Sequence, residues 1–112
     1  MKNTFLDYEL NDGSKIQLTL NFSRLLQLKN KKKDMYERYN KMLLKGTQDA
    51  IEDNIFVLYI AYLCANIEHL DDGSLMDLGT FINSIQQDFV LMNDTVNMLI
   101  NPKKKTVSEG HS

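Results

Sequence analysis

Little in this chain points to covalent or metal chemistry. A single cysteine, Cys64, cannot close an internal disulfide, which fits a reducing, intracellular setting. Of two histidines, only His69 stands outside the polar C-terminal stretch. Glu68, His69, Asp71 and Asp72 are ligand types close together, but no paired His or Cys supports zinc. They also lack the ordered spacing and distal Glu of a calcium loop. There is no glycine-rich phosphate loop, no serine nucleophile elbow and no isolated carboxylate pair in an apolar setting. Cys64 lies inside an apolar helix, five positions from His69, a poor spacing for a catalytic pair. These absences argue against an enzyme and imply no cofactor and no metal site. A formal net charge of −2 gives no general pull toward nucleic acid or anionic membrane. The opening MKNTFLDYEL has acids where a signal peptide needs an apolar stretch. No apolar run reaches the ~20 residues of a membrane span. There is no tryptophan, while six methionines and five tyrosines fit an adaptable core or adhesive contact surfaces.

What is present is organised around Ile51–Asn66, IEDNIFVLYIAYLCAN. From Ile55 to Ala65 every residue is apolar or aromatic. A helix there puts Ile51, Ile55, Leu58, Tyr62 and Ala65 on one face, and Phe56, Ile60, Leu63 and Ile67 on another. Apolar on nearly every side, it belongs at the centre of a core or between a core and a subunit contact.

The remaining chain predicts a small α+β domain over residues 1–102, an N-terminal β-hairpin followed by four to five α-helices. Alternation in Phe5–Leu10 (Leu6, Tyr8, Leu10 inward) and in Lys15–Leu20 (Ile16, Leu18, Leu20 inward, Thr19 outward) gives a hairpin over 4–20. Asn11-Asp12-Gly13 supplies its turn. Asn21 caps a helix over 22–30 with Phe22, Leu25, Leu26 and Leu28 as its apolar residues. After Lys31-Lys32-Lys33, read as a loop, a helix over 34–45 turns Met35, Tyr36, Tyr39, Met42 and Leu43 inward. Asp34 with Arg38 and Glu37 with Lys41 pair along it, and Gly46 ends it. The central helix spans 48–67. Ser74, with Asp77 three residues on, caps a helix over 74–86 whose stripe is Leu75, Leu78, Phe81, Ile82 and Ile85. A last helix over 89–100 carries Met92, Val96 and Leu99 and stops before Pro102. Residues 103–112 form a basic, polar, flexible tail.

Two features invite functional readings. Lys29, Lys31, Lys32 and Lys33, near Tyr36 and Tyr39, make a conceivable nucleic-acid patch, hence the alternative of a small DNA-binding regulator using the Lys29–Lys33 region. Acids follow the patch at once, and no helix presents Arg, Asn, Gln and Ser suited to base edges, so nucleic acid is disfavoured. The tyrosines Tyr36, Tyr39, Tyr59 and Tyr62 recur at helical spacing, which suits an interface and a core equally.

With these elements in order, the chain resembles the phage tail assembly chaperones of long-tailed (siphovirus) phages and prophages of Gram-positive bacteria. The resemblance covers about residues 4–105. It runs through LNDGSKIQLTLNFSRLLQL, DMYERYNKMLLKG and IFVLYIAYLCAN, where Leu58-Tyr59, Ala61-Tyr62-Leu63 and Ala65-Asn66 match an LY-AYL-AN pattern. It continues through LMDLGTFINSIQQDF to INPKKK. It implies a non-enzymatic protein of the host cytoplasm, not part of the mature virion, that coats the helical tape measure protein and yields to major tail tube protein. It also places Lys103-Lys104-Lys105 where a programmed frameshift would lie. Helix-in-groove recognition supplies the physics. The residues expected to make such contacts are Tyr36, Tyr39, Phe56, Tyr59 and Tyr62, with Met35, Met42, Met92 and Met98 lining the groove. Surplus apolar faces on the central helix and the methionines would drive self-association, so a homo-oligomer, as a ring or short helical stack, is expected.

Overall fold

Alternating side chains and one tight turn set the first unit. The computed structural model describes residues 5–45 and 51–101. Strands β1 (Leu6–Glu9) and β2 (Lys15–Leu18) pair antiparallel, with Leu6 opposite Leu18 and Tyr8 opposite Ile16. The turn is held by Asp12, whose Oδ1 accepts from the Ser14 amide at 2.9 Å and its hydroxyl at 2.6 Å. Gly13 adopts φ 89°, a conformation that favours glycine. Tyr8, Leu10 and Leu18 are buried on the inner face, as the alternation requires. Thr19 departs from it. Expected outward, it is fully buried, because β2 ends at Leu18 and the Thr19 amide turns to donate to the Ala61 carbonyl at 3.1 Å.

Five helices follow: α1 (Phe22–Lys31), α2 (Lys33–Lys45), α3 (Ile51–Ala65), α4 (Leu78–Ser84) and α5 (Phe89–Ile100), with a 3-10 turn at Ile67–His69. The fold is therefore α+β, a hairpin and a helical body. Helix α3 is the centre. Phe56 to Cys64 are buried without interruption, and α3 packs against β2, α1, α2, α4 and α5. A helix apolar all round needs such enclosure.

Several boundaries differ from the expected ones for identifiable reasons. Lys31-Lys32-Lys33 is scarcely a loop. Lys31 ends α1, Lys33 begins α2, and only Lys32 lies between, its amide still donating to Leu28 at 2.6 Å. Helix α3 stops at Ala65 rather than 67, since the next turn tightens into 3-10 geometry. Its expected start, and Gly46, fall partly or wholly outside the described residues, as do the first residues of the hairpin and the tail.

Helix α4 begins four residues later than expected. Ser74 does not cap it, because both its amide and its hydroxyl are taken by Asp72 Oδ1 at 2.9 and 2.6 Å. The Asp-Gly-Ser arrangement of the hairpin turn thus recurs, with Gly73 at φ 78°. Asp77 caps α4 instead, accepting from the Thr80 amide at 2.8 Å. Between the two, Met76 is held by two tyrosines: the Tyr59 hydroxyl donates to its carbonyl at 2.9 Å, and the Tyr62 hydroxyl accepts from its amide at 3.0 Å.

Ile85 was expected in the helix. It sits past the end of α4, bridging to Leu10. The Asn11 amide donates to Ser84 at 2.8 Å and the Gln86 side chain to Glu9 at 3.0 Å. The hairpin is thereby fastened to α4 as well as to α3.

Candidate interaction site

The site grows from a division within α1. Asn21 caps the helix, its side chain accepting from the Arg24 amide at 3.3 Å. Leu25 and Leu28 form an inward stripe and are buried. Phe22 and Leu26, four residues apart, form a second stripe that faces solvent, 82% and 56% exposed. The four apolar residues of this amphipathic helix are thus divided, two facing the core and two facing solvent.

The outward stripe borders a cleft of about 440 Å³ between α1, α2 and the end of α5. Leu20, Leu25, Tyr36, Tyr39, Leu43 and Leu99 form most of its wall, with Phe22 and Leu26 along α1. Its lining is predominantly apolar, with the Asn40 side chain and the tyrosines as polar elements. Leu44, 81% exposed, adds apolar surface at the end of α2.

The residues expected to make contacts separate into two groups. Tyr36, half-buried, and Tyr39, buried at 4% exposure, line the cleft. Phe56, Tyr59 and Tyr62 belong to the core around α3. The rings of Tyr59 and Tyr62 stand 5.3 and 5.4 Å from that of Phe81, and the Arg38 guanidinium lies 4.1 Å from the centre of the Phe56 ring. In this arrangement a partner reaches Tyr36 directly, whereas Tyr39, although it underlies the cleft, is buried in the same core as Phe56, Tyr59 and Tyr62. Met35, Met42, Met92 and Met98 do not line the cleft. Burial pushes the Tyr39 hydroxyl well above the usual phenol range, with the neighbouring Cys64 and Tyr36 adding to it. Tyr39 therefore meets a ligand as a neutral group.

The lysine cluster beside the cleft is largely engaged within the chain. Lys31 pairs with Asp71 at 3.2 Å and Lys33 with Glu37 at 3.9 Å, while the Lys29 ammonium lies 5.7 Å from the centre of the Tyr36 ring. Cys64 is buried, and desolvation pushes its thiol up to about 12, with Arg24 opposing the shift. Arg24 itself was not singled out by its type or spacing. Its guanidinium donates to the Cys64 and Ala65 carbonyls at 3.0 and 3.3 Å, closing the C-terminus of α3.

Among the described residues, no group of three or more His, Cys, Asp or Glu side chains is arranged to hold a metal ion. Among them too, no helix is long and apolar enough to cross a membrane. No family model, no curated protein and no solved structure matches this chain.

Proposed function

We propose that this chain is a tail assembly chaperone: a non-enzymatic protein that binds and solubilises the tape measure protein while a phage tail is assembled. On this reading it works in the host cytoplasm and leaves before the virion matures. The observation that carries it is the apolar cleft between α1 and α2, rimmed by the outward stripe Phe22–Leu26. An amphipathic client helix would place its apolar anchors against Leu20, Leu25 and Leu43 and leave its polar face in water. The tyrosine hydroxyls and Asn40 would meet polar groups at the edge of the anchor stripe. Support also comes from the resemblance, whose segments include DMYERYNKMLLKG, which covers most of α2.

The DNA-binding alternative loses ground because Lys31 and Lys33 are in ion pairs with acids of the same chain.

Co-expression with the tape measure protein of the same phage, followed by size-exclusion chromatography with light scattering, tests the proposal. The expected result is a soluble tape measure protein eluting with several copies of this chain. An insoluble tape measure protein, with this chain running alone, would overturn it.

A further inference from the structure

Lysine and arginine are unevenly placed along the chain. Between Lys45 and Lys103 there is none, while nine of the 15 acids fall in that stretch. Helices α3, α4 and α5 all belong to it. An apolar surface built by these three helices therefore has carboxylates and no cations from its own elements.

Such a surface lies at the first turn of α5. Ile51, Ile55, Ile82, Ile85, Phe89 and Met92 line a hollow of about 300 Å³. Ile51, Phe89 and the adjoining Val90 are 58%, 45% and 67% exposed. The cleft between α1 and α2 meets the other end of α5, through Leu99 and Ile100, and has no charged residue in its lining. The hollow differs in both respects. A cavity of about 150 Å³ holds one benzene-sized group, so the hollow takes about two large apolar side chains. Two such side chains at i and i+4 of a helix stand about 5–6 Å apart and enter one hollow together. No described residue of β1 or β2 lines it, so it offers packing and not a strand edge.

Its charges are acidic and open to solvent. Among the described residues that line it, Asp88 is the one with a charge, and it is exposed. Asp88 Oδ1 caps α5, accepting from the Leu91 amide at 3.0 Å. Among the described residues no lysine or arginine forms an ion pair with Asp88. Exposed Glu52 follows Ile51 in the first turn of α3. Exposed Asp94 follows Val90 by four residues, on the same side of α5.

We infer that this hollow docks a basic amphipathic helix of a partner protein. Two large aliphatic or aromatic side chains, one turn apart, would seat between Ile51, Ile82 and Phe89, with lysine or arginine on the flanks facing Asp88, Glu52 and Asp94. The apolar pair supplies the affinity, and the charges set the orientation, the association rate and the salt dependence. The surface is independent of the cleft and of any client held there.

Fluorescence anisotropy of a labelled peptide, titrated with the full chain, tests it. The probe is a helical peptide of alanine, glutamine and lysine with two leucines four residues apart. Two control peptides carry glutamates in place of the lysines, or alanines in place of the leucines. The lysine–leucine peptide is expected to bind, more weakly as salt is raised, and neither control is expected to. Asp88→Asn keeps the helix cap, since Asn and Asp cap about equally well, and is expected to weaken binding about threefold. Phe89→Gln is expected to weaken it about tenfold. Phe22→Ser, on the cleft, is expected to leave the affinity unchanged, which separates failure of this surface from failure of the cleft. Circular dichroism melting checks that each variant folds. A lysine–leucine peptide that does not bind would overturn the inference, as would a control that binds equally well. So would binding that Phe22→Ser abolishes and Phe89→Gln spares. Growth in mass with concentration that Phe89→Gln abolishes would overturn it by assigning the hollow to a second copy. Tighter peptide binding after Lys103, Lys104 and Lys105 are changed to alanine would overturn it by assigning the hollow to the chain's own lysines.

Discussion

Asn54 is the residue whose chemistry agrees least with its surroundings. It is fully buried in the first half of α3, and among the described residues neither its amide nitrogen nor its amide oxygen has a hydrogen-bond partner. Unpaired buried polar groups cost about 1–3 kcal/mol each, and an apolar group of similar shape removes that cost. Asn54→Leu is therefore expected to raise stability by about 1 kcal/mol, read as a higher urea midpoint at unchanged slope. A lower midpoint would show that the amide has a role beyond its cost. Cys64 gives a second residue-scale test. Its thiol, raised by burial to about 12, is expected to resist alkylation at pH 8 in the folded chain and to react in denaturant. Labelling of the folded chain at the rate of a free thiol would contradict its burial.

The turn after α3 makes stability depend on pH. His69 Nδ1 lies 2.8 Å from Asp72 Oδ2, and that hydrogen bond, with the charge of Asp72, raises the His69 pKa above its ordinary 6.5. Its stabilising contribution is full below pH 6.5 and fades as pH rises through the raised value. Asp72 is lowered from 3.8 to about 2, first by the Ser74 hydroxyl and then by His69. Its contribution is present above pH 3.8 and fades as pH falls toward 2. Asp12 and Asp77, lowered by bonds to Ser14 and Thr80, act in the same direction as Asp72. The melting temperature is therefore expected to be highest between about pH 4 and 6.5. His69→Gln should flatten the alkaline side of the profile and reduce the acid side only in part, because Ser74 still holds Asp72 down. An alkaline side that is unchanged in this variant would exclude His69 as its cause.

At the scale of elements, the tyrosine clamp on Met76 decides where α4 begins. Tyr59→Phe removes a donor to the Met76 carbonyl, and Tyr62→Phe removes the acceptor of its amide. Each is expected to cost about 1 kcal/mol, and Tyr62→Phe should speed hydrogen exchange at the Met76 amide. Unchanged exchange there would mean that the segment is held by other contacts. This clamp also shows why the start of α4 was hidden in the sequence. Ser74 and Asp77 both look like caps, and the choice depends on residues 14 to 17 positions earlier. The hairpin was legible because its signals are local: alternation, and a turn that Asp12 and Gly13 make within five residues. The central place of α3 was legible too, because eleven successive apolar or aromatic residues leave no face for water. The cleft was not. The pattern names Phe22, Leu25, Leu26 and Leu28 as the apolar residues of α1, and only the packing shows that Phe22 and Leu26 are exposed. Phe56, Tyr59 and Tyr62 illustrate the same limit, since aromatics at helical spacing serve a core and a surface alike.

At the scale of the whole molecule, the hairpin, α1 and α3 are fastened by long-range bonds, while the apolar surface gathers at two ends of α5. Arg24 is one such fastening: its guanidinium reaches the Cys64 and Ala65 carbonyls and comes within 4.0 Å of Glu68. The measurement that bears most directly on this account is client retention by face-specific variants. Leu26→Asp and Val90→Asp would each be co-expressed with the tape measure protein, and the soluble complex weighed by light scattering. Leu26→Asp is expected to lose the client, and Val90→Asp to retain it, because only the first lies on the cleft. Retention of the client by Leu26→Asp at wild-type stoichiometry would contradict the cleft as the binding site.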